Sequence, residues 1–517
     1  MALQNFVQPA HKRALELTYT PRNAVLALIL ISLALRLLFA ATTGLGIDET
    51  YTVATSRTLV LSTYDHPPMA WWLAWAATHL FGQSPLAARL PFVLLFAGST
   101  WQMYRLASVL FDEEAGFLAA FALNCAPVLG VTSATWVLPD GPLIAAMLSC
   151  ALCLAHVLFT PAARPQLWLA AGFFAGLALL SKYHGVFLFA GAGLFVLTSK
   201  PQRRWLASPW PYAGFVLAAA MFSPVIVWNA QHHWASFAFQ GQRGIALDLR
   251  LWRPLLALAG QALFLLPWIW VGLMLSAGKA LRLMARDERR WLLFCLGIGP
   301  VFVFTIVAAW SKGAVLFHWA APGYLMWFPM LGADLRDRLV SRENLRRAMR
   351  ASAALVVILM AAVSLISLAP WPAALAGPPL NLRYPLGQMA DWRALPGVLD
   401  RRGLLHRPNV FVATQYWHEA GKAGYALDGA LPVTCVCQDA REYGILAPYK
   451  SFVGQDALVL VRLHRLAQGQ AYFARRFQSL VREKDIVLAR HGVPIVHLAL
   501  FFGTDLLAQP KEVGAAR

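Results

Sequence analysis

Long apolar runs alternate with short polar segments along the first 370 residues. About 20 mainly apolar residues are enough for an α-helix to cross a bilayer. The first run is longer than the apolar core of a signal peptide, so we expect it to remain as the first helix. Together the apolar windows predict eleven membrane spans, near residues 22–43, 87–111, 114–131, 141–160, 166–181, 184–199, 209–229, 253–277, 291–310, 314–332 and 351–369. The pattern is therefore that of an α-helical polytopic membrane protein.

The pattern changes after residue 370. A Pro/Gly-rich segment at 377–387 is followed by strand-like runs at 409–414 and 457–463 and a helix-like run at 417–427. This predicts a transmembrane domain over 1–370 and a small α/β domain over 371–517. The surface of that second domain would either contact a substrate or cap the spans, and the sequence leaves both open.

Composition supports a membrane protein. Of the 517 residues, 59% are hydrophobic and only 13% are charged, whereas about 25% are charged in soluble domains. The net charge of +19 would suggest nucleic acid in a soluble chain. Here most Lys and Arg fall in short segments between spans, where the positive-inside rule accounts for them. No basic stripe with interleaved aromatic residues appears elsewhere, so nucleic-acid binding is not expected.

The basic segments also predict an orientation. The N-terminus and segments 199–205, 278–290 and 334–350 are rich in Lys and Arg, so they are expected on the cytoplasmic face. Eleven spans then place the C-terminal domain on the exterior face.

The cysteines predict no disulfide framework. Cys435 and Cys437 form a C-x-C, and a bridge that short is expected to be strained. We interpret both as packing residues, with a metal or redox role as the minor alternative. The other four lie in apolar stretches, where cysteine behaves as a small hydrophobe: Cys125, Cys150, Cys153 and Cys295.

The unusual polar residues lie in the loops of the predicted exterior face. Asp48 and Glu49 stand side by side where the first span ends. His66 precedes two prolines, which fix φ and remove backbone donors, so it sits on a stiff segment. Asp140 follows a proline at the start of another span.

Such carboxylates and cations suit a group transfer from a lipid-linked phosphate. A carboxylate can take a proton from an acceptor hydroxyl or orient it, and cations can neutralise a phosphate leaving group. The catalytic candidates are Asp48, Glu49 and Asp140. The donor-phosphate candidates are His66, Lys182, Arg243, Lys312 and His318. The substrate-binding candidates are Tyr51, Tyr64, Tyr183 and His233.

Each candidate also has a simpler interpretation. Asp48 and Glu49 would only be a solvated loop start, Asp140 a cap for the next helix, and His233 an interfacial residue. Lys182 is different, because a lysine between two apolar spans is costly unless it is paired or functional.

Five stretches of the chain together carry a resemblance to a known family: "GIDETYTVATSRTLVLSTYDHPPMAWWLAW", "WVLPDGPL", "LALLSKYHGVFLF", "NAQHHWASFAFQ" and "FHWAAPGYL". They resemble the bacterial branch of the GT-C glycosyltransferases of family 39, which includes protein O-mannosyltransferases and lipid A aminoarabinose and galacturonic acid transferases. The resemblance covers roughly residues 20–330 and rests on the order and spacing of these stretches.

The resemblance implies a GT-C fold of about eleven spans in the bacterial inner membrane, with a periplasmic site. It implies an inverting transfer from a polyprenyl-phosphate sugar to lipid A or another envelope glycan, with Asp48 as the catalytic candidate and Asp140 as the second-loop acid. Many relatives have Lys where this chain has His66, which shifts expected phosphate binding toward Lys182, Arg243 and His318. Metal dependence stays open. A protein acceptor is the main alternative, and a lipid or sugar transporter without chemistry is a weaker one.

Overall fold

The computed structural model describes residues 20–243, 249–311, 315–339, 343–368, 390, 392–490 and 493–510. These residues form two compact units, and each unit is built from three separate stretches of the chain. Unit 1 comprises the described residues up to Leu38, Phe92–Thr135 and Pro139–Leu359, and unit 2 comprises Phe39–Pro91, Trp136–Leu138 and the described residues from Met360 onward. The predicted domain boundary at residue 370 lies outside the described residues and stays a prediction.

Helices dominate the first two thirds of the chain. In chain order they are α1 Pro21–Thr42, α2 Ile47–Thr55, α3 Met69–Phe81, α4 Pro85–Leu110, α5 Glu113–Cys125, α6 Asp140–Phe159, α7 Leu167–Ser181, α8 Val186–Thr198, α9 Pro209–Gln231, α10 Ala235–Arg243, α11 Arg253–Leu265, α12 Pro267–Arg282, α13 Glu288–Ile306, α14 Ala321–Leu325, α15 Phe328–Leu339 and α16 Glu343–Leu368. A π-helical segment, Val128–Ser133, follows α5, and short 3-10 turns include Tyr183–Gly185 and Phe317–Ala320.

By length and composition, five helices of the described chain are able to cross a membrane: α1, α6, α9, the segment Glu288–Ala309, and α16. The count rises to six if α11 and α12 form one span. The apolar helix α7 and the apolar segment Tyr183–Thr198, which includes α8, are shorter. The chain is thus a multi-pass membrane protein, as its apolar windows predict.

The window at 253–277 differs from its prediction as a single span. Its two helices, α11 and α12, are bent by 112° relative to a straight continuation. Pro267 has no backbone N–H to continue the helix, and Leu266 before it has a positive φ of 73°. The break is therefore local to this Leu–Pro step.

Small residues let the helices of unit 1 approach closely. A Cβ on Gly172 of α7 would clash with the carbonyl oxygen of Gly214 on α9. Only glycine permits this contact. Helices in membranes associate through such close van der Waals packing of small residues, because no hydrophobic driving force acts between them in lipid.

The last part of unit 2 is a mixed sheet with helices. Its strands have the order β2-β1-β3-β6-β4, with β5 paired to β6. β1 is parallel to β2 and β3, and β6 is antiparallel to β3, β4 and β5. The elements are α17 Leu395–Arg401, β1 Val410–Thr414, α18 Trp417–Leu427, β2 Val433–Cys435, α19 Tyr443–Leu446, β3 Asp456–Arg462, α20 Leu466–Ala474, β4 Phe477–Arg482, β5 Ile486–Arg490 and β6 Val493–Leu506.

Both faces of this sheet are covered at its central strands β1 and β3. Successive residues of a strand point to opposite faces, and β1 is buried along its whole length. Val412 packs in one apolar cluster with Leu458, while Phe411 packs in another with Val459. This confirms the small α/β domain and the strand and helix positions predicted for it.

The interpretation of Cys435 and Cys437 as packing residues is wrong. They form a disulfide, with Cα atoms 5.4 Å apart, which lies within the range for such bonds. Cys435 ends β2, and because side chains two positions apart on extended chain point the same way, the two sulfur atoms can meet.

Unit 2 joins the segment after α1 to the C-terminal sheet domain. Lys422 Nζ of α18 donates to the carbonyl of Leu45 at 2.6 Å. The guanidinium of Arg57 donates to the carbonyl of Gly424 at 2.7 Å. A Cβ on Gly421 would lie 2.8 Å from Tyr51 Cα. Helices α2 and α18 therefore pack backbone to backbone.

Candidate active site

The first predicted carboxylates occupy the first turn of α2 in unit 2. Asp48 and Glu49 are both in that turn, where acidic side chains interact favourably with the positive end of the helix dipole. Glu49 Oε2 accepts from the backbone N–H of Gly46 at 2.7 Å, as the glutamate of a capping box does.

Glu49 is buried, and both of its carboxylate oxygens accept hydrogen bonds. Arg89 of α4 donates from Nε to Glu49 Oε1 at 2.7 Å and from Nη2 to Oε2 at 2.6 Å. This bidentate geometry is the strong form of the Arg–carboxylate pair. The backbone N–H of Val137 donates to Oε1 at 3.1 Å. Burial alone would raise the pKa of Glu49, but the charge of Arg89 and these hydrogen bonds bring the pKa below its ordinary value.

Arg89 is equally well satisfied. Its remaining N–H groups donate to the Thr43 carbonyl and hydroxyl at 2.9 and 2.7 Å and to the Gly44 carbonyl at 2.9 Å. The pair thus fixes the turn between α1 and α2. Asp48 is exposed, so α2 presents one exposed carboxylate beside one that is buried. The two adjacent acids thus differ in burial and in hydrogen bonding: Glu49 is enclosed by Arg89 and backbone N–H groups, and Asp48 faces outward from the helix.

A second buried network in unit 2 involves Tyr51 and Tyr64, which the sequence predicts as substrate contacts. Tyr51 Oη donates to Asp65 Oδ1 at 2.8 Å and accepts from the N–H of Glu442 at 3.0 Å. The N–H of Tyr64 donates to Glu442 Oε2 at 2.7 Å. Arg441 Nη1 lies 3.2 Å from Asp65 Oδ2. The Tyr51 side chain therefore joins α2 to the C-terminal sheet domain.

His66 is half-buried in the same unit. Its carbonyl accepts from the hydroxyl of Thr63 at 2.8 Å and from the Thr63 N–H at 3.2 Å. These bonds close a tight turn just before the two prolines and hold His66 in place.

Unit 1 contains the other predicted carboxylate. Asp140 is the first residue of α6, and Lys182 follows the last residue of α7. Lys182 Nζ donates to both carboxylate oxygens of Asp140, at 2.9 and 3.0 Å, and both side chains are buried. Asp140 also interacts electrostatically with His318 and His184. Two of the predicted phosphate contacts, Lys182 and His318, thus interact with the carboxylate of Asp140, which is itself a predicted site residue.

The remaining predicted residues of unit 1 are spread more widely. Tyr183 Oη shares a 2.7 Å hydrogen bond with Ser236. His233 is exposed and has a positive φ of 53°. The side chain of Arg243 and all of Lys312 lie outside the described residues. No three metal-ligating side chains come together in the described part of the chain.

Five titratable residues of these networks are absent from the sequence-based set of candidates: Asp65, Arg89, His184, Arg441 and Glu442. Arg89 had a usable signal, since an arginine in an apolar helix is costly unless paired. Nothing local marks Arg441 or Glu442, because their partners lie 376 and 391 residues away.

Comparison with known proteins supports the resemblance found in the sequence. Residues 65–228 match the family described as dolichyl-phosphate-mannose-protein mannosyltransferase. None of the curated proteins compared with the chain matches it.

Solved structures give the fold. The crystal structure of ArnT from Cupriavidus metallidurans bound to undecaprenyl phosphate matches with a TM-score of 0.62 and 17% identity, covering 92% of this chain and 97% of that one. The apo form of ArnT gives the same values. The oligosaccharyltransferase AglB from Archaeoglobus fulgidus matches with a TM-score of 0.44 and 13% identity, covering 89% and 72% of the two chains, and a likeness that weak carries no argument. The fold is that of ArnT, and with the mannosyltransferase-family match it indicates a membrane glycosyltransferase of the GT-C type.

Proposed function

We propose that the protein transfers a sugar from a polyprenyl-phosphate carrier to lipid A or another envelope glycan, with inversion at the anomeric carbon. The observation that carries the donor class is the ArnT fold over 92% of the chain, because that relative was crystallised with undecaprenyl phosphate. The lipid phosphate released by the reaction would stay in the bilayer.

Asp48, Lys182 and His318 have different roles in this proposal. The exposed carboxylate of Asp48 takes the proton of the acceptor hydroxyl. The hydroxyl oxygen forms a bond to the anomeric carbon, and the bond from that carbon to the phosphate oxygen breaks. Its electron pair leaves with the polyprenyl phosphate, whose charge Lys182 and His318 neutralise.

The buried Asp140–Lys182 pair has a separate function in the resting protein. A buried lysine without a partner would be costly, so Asp140 compensates the charge of the ammonium group and orients it. A donor phosphate would share that ammonium with Asp140. Arg243, Lys312 and His66 remain proposed as further phosphate contacts, and Tyr183 and His233 as substrate contacts.

We place the enzyme in the bacterial inner membrane, with its N-terminus cytoplasmic and its C-terminal domain periplasmic. The basic segments support this orientation through the positive-inside rule. The Cys435–Cys437 disulfide supports it independently, because disulfides persist in oxidising compartments.

A protein acceptor is the second candidate. It is favoured by one observation, the match of residues 65–228 to a family of protein mannosyltransferases. Lipid A and a Ser/Thr-containing acceptor peptide therefore belong in the same assay.

The test is sugar transfer by the purified protein in detergent, with a polyprenyl-phosphate sugar and either acceptor. Asp48→Asn is expected to lower turnover by about 10²–10⁴-fold, the usual contribution of a general base, while apparent Tm is unchanged. Glu114→Gln is the matched control, since Glu114 is also an exposed acid in the first turn of a helix. Equal turnover of Asp48→Asn and the unmodified protein would refute the assignment.

A further inference from the structure

A large groove in unit 1 is lined by none of the residues of the candidate active site. It has a volume of about 1130 Å³ and is lined by α12, α15 and the beginning of α16. Small-molecule sites usually occupy about 300–1,000 Å³. The groove is therefore large enough for a sizeable ligand, and neither the proposed transfer nor the comparisons use it.

The wall formed by α12 changes from apolar to cationic along its length. Trp268, Leu275, Lys279 and Arg282 all line the groove. Their spacings of seven, four and three residues put them on one face of the helix. The two cations lie in the last turn, so the apolar part of this face comes first and the charged part last.

The wall formed by α15 has the same polarity. Leu331 and Leu335 line the groove before Arg338 does. The two helices run in the same direction, since Gly272 faces Leu331 and Lys279 Nζ lies 2.7 Å from Asp334 Oδ1 further along. The cations of both helices therefore gather at one end of the groove.

Positive charge exceeds negative charge at that end. Asp334 accepts from Ser276, Lys279 and Arg290, so its charge is already compensated. The other acid in the lining, Glu343, pairs with Arg347. The lining contains three cations, Lys279, Arg282 and Arg338, against these two acids.

The other end is suited to hydrocarbon. Val271 and Leu275 are 47% and 56% exposed, and Leu345 and Ala348 of α16 complete the lining. The hydrogen bond from Trp268 Nε1 to Ser352 Oγ, at 2.7 Å, ties α12 to α16. The result is a preformed groove with an apolar side and a basic end.

We propose that this groove binds one anionic glycerophospholipid of the bilayer, with its phosphate at Arg282 and Arg338 and its acyl chains along α12. Basic pockets between membrane helices recognise anionic headgroups in this way, whereas apolar walls alone do not distinguish lipid charge. The site is separate from the sugar-transfer chemistry, so its failure and that of the proposed function are distinguishable.

Native mass spectrometry of the full chain, with added phosphatidylglycerol or phosphatidylethanolamine of matched acyl chains, tests the site. One retained phosphatidylglycerol is expected, with a preference of roughly tenfold over phosphatidylethanolamine. The double variant Arg282→Gln/Arg338→Gln is expected to lose the preference. Arg286→Gln is the matched control, because Arg286 is exposed nearby and does not line the groove.

A third variant tests the apolar part. Ala348→Trp puts a large ring into the groove and is expected to reduce retention of phosphatidylglycerol. Equal retention of the two lipids by the unmodified protein would overturn the proposal. So would an equal loss in Arg286→Gln, or displacement of phosphatidylglycerol by equimolar undecaprenyl phosphate, which would make the carrier lipid the occupant.

Discussion

Arg89 binds the carboxylate of Glu49 through two contacts of 2.7 and 2.6 Å, with both side chains buried. Removing one partner of such a pair leaves an uncompensated buried charge and typically costs about 3–5 kcal/mol. Glu49→Gln is therefore expected to lower apparent Tm sharply in detergent, while Asp48→Asn leaves it unchanged. A Tm for Glu49→Gln within error of the unmodified protein would contradict this role.

The Asp140–Lys182 pair allows stability and activity to be separated. Lys182→Met is expected to destabilise the protein, since Asp140 stays buried without its ammonium partner. The double variant Asp140→Asn/Lys182→Met is expected to recover much of the stability but none of the activity. Thermal unfolding and sugar transfer, measured on the same preparations, distinguish the two effects. Recovery of both would mean that the pair is only structural.

Glu442 predicts a pH dependence of unit 2. The pKa of this carboxyl is raised to about 8, mainly by burial; the hydrogen bond from the Tyr64 N–H opposes the rise, and the nearby charge of Asp65 adds to it. Between about pH 4.5 and 8 the folded chain thus holds a proton that the unfolded chain has released. The free energy of unfolding should fall as pH rises through this window.

Glu442→Gln is expected to flatten that slope. Its Tm should exceed that of the unmodified protein by more at pH 8.5 than at pH 6. Apparent Tm measured at both pH values checks this, with the exposed Glu483→Gln as control. Other groups, such as His418, titrate in both proteins and cancel in the difference. Identical slopes in the unmodified protein and Glu442→Gln would count against a buried, protonated Glu442.

The cysteines predict a thiol count. Alkylation of the unfolded, unreduced protein should label four cysteines, because Cys435 and Cys437 are bonded to each other. Reduction should raise the count to six, as read by intact-protein mass spectrometry. Their loop is short, so Cys435→Ser/Cys437→Ser should cost only about 1–2 kcal/mol. Six labels without reduction would show that the bond is absent.

Much of the helical part is predictable because hydrophobicity acts locally. The windows 22–43, 141–160 and 209–229 correspond closely to α1, α6 and α9. The same holds for β1, β3 and α18, whose local patterns are strong. The bend at Pro267 is harder to predict from the sequence, since a proline within an apolar run permits either a kink or a break.

The site is predictable only in part, because ion pairs depend on tertiary placement. Lys182 stands out in sequence as a buried cation, but its partner Asp140 lies 42 residues away. Adjacent in sequence, Asp48 and Glu49 look equivalent, yet only Glu49 meets Arg89. Their division into an accessible and a buried acid follows from the packing of α4, which no local pattern encodes.

The close contact between Gly421 and Tyr51 has a consequence for how such proteins diversify. Because α2 and α18 touch through their backbones, we expect that the C-terminal domain cannot be exchanged on its own. A chimera that grafts this domain from a relative would need the matching 39–91 segment as well. Recombination between homologues should therefore succeed when both pieces come from one parent and fail when they are mixed.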